Sequence, residues 1–299
     1  MSNTQWQVGA VRITRVVELT AERAPEFGYR NLTTGEILTQ GWLKPHFATE
    51  DGKLISAIQA FIVESQGQRI IVDTCVGNDK PRGNPAWNLM QGPFLDDLAA
   101  AGFPRESIDT VLCTHLHIDH VGWNTMLVDG QWLPTFPNAR YLFGRIEWEH
   151  WGQELTELIR GDIEPEIAET VMDCRIVNQD SIRPIIAAGL EELVEVEHRV
   201  TDEVRLEPTP GHTPGHVSVV IESQGKRAVI TGDLMHHPIQ CALPHVASKF
   251  DHDVARAQST RRDFLGRYAD GETLVLGTHF AGPTAGHLVA HGEGWHLKV

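Results

Sequence analysis

The chain has 299 residues, with 25 Lys plus Arg against 40 Asp plus Glu, for a formal net charge of −15. That balance argues against nucleic acid or an anionic membrane as partner, since both are held by clustered positive charge, and favours neutral or weakly charged small molecules. Hydrophobic content of 41% with 22% charged residues is ordinary for a globular chain and allows a sizeable core.

The N-terminal stretch Met1-Ser2-Asn3-Thr4-Gln5-Trp6 has no basic region followed by an apolar run, so no secretion leader is expected. No segment approaches the ~18 consecutive apolar residues of a membrane span. Cys75, Cys113, Cys174 and Cys241 are widely spaced without a Cys-x-x-Cys pair, which predicts buried thiols in a reducing cytoplasm. Residues 8–18 alternate as an opening strand. Residues 57–64 and 69–73 read as a hairpin with Gly67 in its turn, and 94–101 has helical spacing that stops at Gly102. Residues 109–114 form a short buried strand, and 140–143 another, followed by the aromatic-rich Glu147-Trp148-Glu149-His150-Trp151. The stretch 152–200 is expected to be a mainly helical insertion broken at Pro165 and Pro184. Residues 217–221 and 228–231 form a second hairpin, followed by a helix over 253–268 and a strand over 273–276. Each half of the chain thus repeats hairpin, helix, strand. That order suits two sheets packed face to face with helices outside, in a single domain over 1–299.

Where the 109–114 strand runs out, the chain reads His115-Leu116-His117-Ile118-Asp119-His120. Four metal-competent side chains in six residues point to a pair of metal ions, because imidazole suits zinc, iron and related metals and a carboxylate beside it can ligate or accept a proton. Further candidates each follow a strand: Pro210-Gly211-His212-Thr213-Pro214-Gly215-His216, Thr231-Gly232-Asp233 and Leu276-Gly277-Thr278-His279. Cys113 reads as strand interior rather than as a ligand.

The order Thr114-His115-x-His117-x-Asp119-His120, Gly211-His212-Thr213-Pro214-Gly215-His216, Gly232-Asp233 and His279 resembles the metallo-β-lactamase superfamily over residues 57–282, with Asp73 at the position of its supporting aspartate. The resemblance implies an α/β fold, a four-layer αββα sandwich with the site at one edge of the sheets. It implies two divalent ions, zinc first, with manganese, iron or cobalt as alternatives. His115, His117 and His212 would hold one, Asp119, His120 and His279 the other, and Asp233 would bridge. His216 would be a structural neighbour in its turn. His236, His237, His245, His252 and His287 are candidates to orient ligands. The chemistry implied is hydrolysis by a metal-bridging hydroxide, with Asp119 managing the proton.

Outside the ligands, Asn178-Gln179-Asp180-Ser181-Ile182-Arg183-Pro184-Ile185, Glu207-Pro208-Thr209-Pro210 and Thr278-His279-Phe280-Ala281-Gly282-Pro283 are similar to the branch of acyl-homoserine lactonases and methyl parathion hydrolase. A lactone or carboxylic-ester hydrolase, a quorum-quenching activity when the lactone is an acyl-homoserine lactone, is therefore expected. Organophosphate triester hydrolysis is the alternative, and a non-catalytic metal-binding sensor a third reading. The partners implied are a small ester or lactone and a second copy in a homodimer. Trp123, Trp148, Trp151 and Phe280 are candidate pocket walls. Where typical homoserine lactonases place a substrate-binding tyrosine after the bridging aspartate, this chain reads Leu234-Met235-His236-His237, which makes His236 the candidate donor to substrate.

Overall fold

Short uninterrupted apolar runs such as Ile70-Ile71-Val72 and Val111-Leu112 belong to strands covered on both faces, because neither face can be left to water. The computed structural model describes residues 4–151, 175–269 and 271–299 and buries these runs completely. Strands in this half of the chain are β1 (Gln5–Val8), β2 (Val11–Arg23), β3 (Leu54–Ser65), β4 (Gln68–Val72), β5 (Thr110–Leu112), β6 (Thr125–Val128), β7 (Gln131–Pro134), β8 (Arg140–Gly144) and β9 (Glu191–Val194). Among the described residues β6 and β7 form a separate ribbon, and the other seven form one sheet in the order β1-β2-β3-β4-β5-β8-β9. β3 and β4 make the expected hairpin, with Phe61 opposite Val72 and Ser65 opposite Gln68. β4, β5, β8 and β9 run parallel, with Val72 beside Leu112, Leu112 beside Leu142 and Leu142 beside Glu192. The chain therefore leaves β4 at Asp73, β5 just before His115 and β8 before Arg145 at the same end of the sheet.

The second sheet repeats the device in the order β10 (Val204–Pro208), β11 (Val217–Ser223), β12 (Lys226–Ile230), β13 (Leu274–Leu276), β14 (Ala285–His291) and β15 (Gly294–Lys298). β11 and β12 form the second expected hairpin, and β12 runs parallel to β13 with Ile230 beside Leu276. Both strands then end on one side, just ahead of Asp233 and His279. By contact density the chain divides into two compact units, the first from residues 1–6, 12–18 and 59–195, the second from 7–11, 19–58 and 196–299. The core of the second unit gathers Phe47, Val220, Val229, Leu234, Met235, Phe264, Val275 and Phe280.

Two elements differ from the sequence reading. A turn at Gly9-Ala10 splits the opening strand into β1 and β2. Of the stretch expected to be helical, residues 152–174 lie outside the described residues. From 175 the chain is helical to Ala187 and then forms β9, which takes up the hydrogen-bonding edge of β8. The outer position of β9 explains its two glutamates, Glu191 and Glu192, since charge on an edge strand discourages further pairing.

The first unit also buries an unbalanced charge group. Arg82 donates to both carboxylate oxygens of Asp180 at 2.7 and 3.1 Å. The Lys80 ammonium donates to Thr125 Oγ1 at 2.8 Å, stands 3.7 Å from Asp180 Oδ1 and lies 3.7 Å from the centre of the Trp132 ring. Two cations share one anion out of contact with water, and burial pushes the Lys80 ammonium down to about 7. Asp180→Asn leaves both cations uncompensated and is expected to destabilise by about 3–5 kcal/mol, read from the urea midpoint. The folded-state value for Lys80 lies below the unfolded one, so between about pH 7 and 10.5 the unfolded chain holds the extra proton and stability rises with pH. Urea titrations at pH 6.5 and pH 9.5 should favour wild type over Lys80→Met more strongly at the higher pH. A constant difference would show that Lys80 stays charged throughout.

Candidate metal centre

The first cluster begins with Asp73, set directly after β4. Its Oδ1 accepts the Thr114 N–H at 2.8 Å, and its Oδ2 accepts the Thr114 hydroxyl at 3.0 Å and His120 Nδ1–H at 2.9 Å. A carboxylate only accepts, so His120 carries a proton on Nδ1 and turns Nε2 toward Asp119 Oδ1, 3.7 Å away. With its hydroxyl proton given to Asp73, Thr114 Oγ1 accepts from His115 Nδ1 at 3.1 Å, which puts a proton on the same nitrogen of His115. The His115 ring centre lies 4.6 Å from that of His117 and 4.1 Å from that of His120. Thus β5 and the turn after it gather His115, His117, Asp119 and His120, the first and last buried and the middle two half-buried.

The turn is held from behind by backbone and by a residue that the sequence reading missed. Thr74 N–H donates to His120 O at 2.8 Å, and Gly122 N–H to Cys75 O at 2.8 Å. A Cβ on Gly122 would stand 1.8 Å from Val76 O, so only glycine permits this approach. Glu18 accepts the N–H groups of Val76 and Gly77 at 2.8 and 3.0 Å and Trp123 Nε1–H at 2.7 Å, and burial raises its carboxyl to about 7. Cys113 is buried, as expected, but stands one residue past the end of β5 rather than within it, with its thiol pushed up by burial.

The second cluster lies in the second unit. Gly211 has φ 137°, and a Cβ there would stand 2.3 Å from Ala257 N, so glycine lets the His212 turn pack on the first turn of the helix Val254–Tyr268. His212 Nδ1 donates to Asp251 Oδ1 at 3.1 Å, which directs Nε2 at Asp233 Oδ2, 3.4 Å away. His279 Nδ1 donates to Ala57 O at 2.9 Å, and its Nε2 stands 3.1 Å from Asp233 Oδ1. His236 Nε2 is 3.3 Å from Asp233 Oδ2, with its ring parallel to that of His279 at 5.8 Å. Burial lowers the His236 pKa from its ordinary value.

This donor set fits a metal cation. His212 and His279 have each given their Nδ1 proton to a protein acceptor, so a neutral ring at either position turns an Nε2 lone pair on the Asp233 carboxylate. Lone pair against lone pair is repulsive, and a cation held between them, or a second proton on each ring, reverses the sign. Two donors bound to one tetrahedral ion stand about 3.4 Å apart, close to the spacings found here. The ligand-competent atoms of His212, Asp233 and His236 all lie within 4.8 Å of one another.

His216 is built differently. Its Nε2 accepts the Asp233 N–H at 2.8 Å, and its Nδ1 lies 2.8 Å from Thr209 Oγ1 and 3.1 Å from Thr209 O, so both nitrogens serve the protein frame. Of the other histidines, His237 bonds Phe47 O at 2.7 Å through Nε2 and accepts Ile239 N–H, with burial lowering its pKa to about 4. His287 Nδ1 bonds Thr273 O at 3.0 Å. His245 lends its carbonyl to Gln258, and His252 donates its backbone N–H to His212 O at 3.0 Å. The residue that fixes the His212 ring is Asp251, itself 3.7 Å from the buried Arg261, whose guanidinium donates to the carbonyls of Leu234, Pro244 and Val246. No motif marks Asp251 in the sequence. Among the expected pocket aromatics, Trp123 stacks on Phe94 and Phe280 packs on Phe47, both in core, and Trp148 is half-buried. Trp151 reaches the first cluster, 5.4 Å from His117.

The sequence matches the Metallo-beta-lactamase superfamily over residues 56–279. An N-acyl homoserine lactonase of Bacillus cereus is 23% identical over 188 residues, and the match covers 58% of this chain and 61% of that protein. N-acyl homoserine lactonase AiiA of Bacillus thuringiensis subsp. kurstaki is 22% identical over 197 residues, 61% of this chain and 66% of its own length. The match thus spans less than two thirds of these curated relatives. Among solved structures, the hydrolase AbOPH of the beta lactamase superfamily superposes with a TM-score of 0.81 at 26% identity, over 99% of this chain and 97% of that one. AidC, a dizinc quorum-quenching lactonase, has a TM-score of 0.79 at 19% identity, over 99% and 96%, a likeness of fold. With the match running from β3 to His279 and every turn that carries a candidate ligand inside it, the chain belongs to the metallo-beta-lactamase superfamily and has its α/β sandwich fold.

Proposed function

We propose that this chain is a metal-dependent hydrolase of a lactone or carboxylic ester in a small, largely neutral molecule. The observation that carries the reading is the convergence of three Nε2 atoms on the Asp233 carboxylate, with the far nitrogens of His212 and His279 already committed to protein acceptors. Superfamily membership and the likeness to lactonases supply the reaction class. His115, His117 and His212 are assigned to one ion, Asp119, His120 and His279 to a second, and Asp233 to both. Zinc is the first choice, on the His/Asp donor set and on the dizinc state of AidC. When bound, such a pair supplies water acidic enough to attack as hydroxide and polarises the carbonyl under attack.

The chain's own groups then divide the remaining work. Asp73 and Asp251 hold the rings of His120 and His212 by their Nδ1–H groups, so that Nε2 is the nitrogen turned toward the proposed ions. Asp119, half-buried where His115 and His120 are buried, is the carboxylate assigned to receive a proton and pass it to the leaving alkoxide. His236 is assigned to the support of Asp233 rather than to a substrate carbonyl, because its Nε2 is directed at that carboxylate. The acidic total charge agrees with an uncharged substrate. Among the described residues no helix is long and apolar enough to cross a membrane, and Cys75, Cys113 and Cys241 are free thiols. A reducing cytoplasm and a homodimer complete the proposal.

Elemental analysis of the protein is expected to give two divalent ions per chain, with chelator-sensitive turnover of a lactone or aryl acetate exceeding that of an aryl dialkyl phosphate. Preference for the phosphate triester would move the assignment to that class, and two ions without turnover would favour a binding role. Asp233→Ala should lose at least one ion and hydrolysis together; full activity with two ions would remove the bridging assignment. Asp251→Ala should weaken metal affinity about 10–100-fold. His216→Ala should retain both ions, and stoichiometric loss of one would show that this ring is a ligand after all.

A further inference from the structure

Glu147 is buried to 1% exposure in the helix Arg145–Trp151, a position where an unpartnered carboxylate would cost several kcal/mol. The proposed hydrolysis gives it no direct part. Its Oε2 accepts two donors at once, the Leu116 N–H at 3.3 Å and Trp151 Nε1–H at 3.0 Å. Leu116 is the residue between His115 and His117, and the Trp151 ring stands edge-on to His117 with centres 5.4 Å apart at 66°. One carboxylate oxygen therefore grips the peptide that joins two candidate ligands and the aromatic ring that borders the second of them.

We infer that Glu147 is a positioning residue of the metal centre, acting on the His115-x-His117 pair through the Leu116 amide and on the His117 ring through Trp151. Strand order brings these groups together. β5 and β8 are parallel and in register at Leu112 and Leu142, so the turn after β5 and the helix after β8 start from the same sheet end. The Leu116 peptide cannot rotate without giving up its hydrogen bond to a buried acceptor, and leaving buried polar groups unsatisfied is costly. Rotation of that peptide is the motion that would swing His115 and His117 apart. The indole, held by the same oxygen, borders the His117 ring edge-on. Leu116 and Trp151 also line a small cavity with Val177, Asn178 and Ile182, so the same grip shapes the wall beside that ring.

The inference rests on the proposed metal centre, and its test separates the two. Zinc affinity would be measured by competition with a chromophoric chelator for wild type, Glu147→Ala, Glu147→Gln and Trp151→Phe, with kcat and KM for a lactone and the melting temperature of the metal-free form. Glu147→Ala is expected to weaken zinc binding about tenfold or more and to lower kcat more than it raises KM. Glu147→Gln, which keeps an acceptor oxygen, should recover part of the loss, and Trp151→Phe should fall between it and wild type. Zinc affinity within twofold of wild type, with only the metal-free melting temperature lowered, would overturn the inference in favour of simple packing. If Glu147→Ala does not fold, unchanged affinity in both Glu147→Gln and Trp151→Phe overturns it equally. A wild type that takes up no zinc brings down both readings, whereas zinc-binding wild type with indistinguishable variants brings down this one alone.

Discussion

The arrangement on which the second cluster depends is the anchoring of its histidine rings from behind. His212 and His279 donate their Nδ1 protons to Asp251 and Ala57 O, and so turn Nε2 toward Asp233 at 3.4 and 3.1 Å. The surrounding structure holds each ring from behind, so the three groups converge on a point where a cation could be held. The first cluster follows the same logic, with Asp73 and Thr114 accepting from Nδ1 of His120 and His115 before any ligand arrives. Preorganisation of this kind moves the cost of ordering the ligands into folding, so that it is not charged against metal binding.

The scaffold that does the holding is the same in each sheet. A hairpin is followed by a parallel strand, β3-β4 with β5 and β11-β12 with β13. Parallel neighbours end on the same side, so the residues just past them meet without long loops. Asp73 and His115 come together in this way in the first unit, and Asp233 and His279 in the second. Backbone polar groups at strand ends find partners in the turns, which lets buried polar side chains gather there without unpaired main chain.

Charge is buried in several places outside the clusters, and each instance ties distant segments. Arg261 reaches three carbonyls and stands beside Asp251, Arg82 and Lys80 close on Asp180, and Glu18 gathers three N–H groups. Breaking any of these would leave a charge in low dielectric, which makes them rigid and unforgiving of substitution. The groups at Glu18, Glu147 and Asp251 stand directly behind the ligand-bearing turns.

The sequence by itself determined the candidate donors and their order along the chain. Histidine, aspartate and glycine follow apolar runs at spacings that only strand ends explain, and Asp73, His115, His117, Asp119, His120, His212, Asp233 and His279 were all legible before any coordinates. It also marked both hairpins, because a two-residue turn between alternating strands is a local property. What only the tertiary structure decided is which nitrogen of each ring faces inward and what holds it there. His212 and His216 look alike in sequence, each preceded by glycine, and they separate only because one bonds Asp251 while the other receives the Asp233 amide. Asp251 lies 39 residues from His212, Glu147 31 from Leu116, and Glu18 105 from Trp123. Hydrogen bonds over such separations leave no periodicity or motif in the chain, because their partners become neighbours only when the strands have paired.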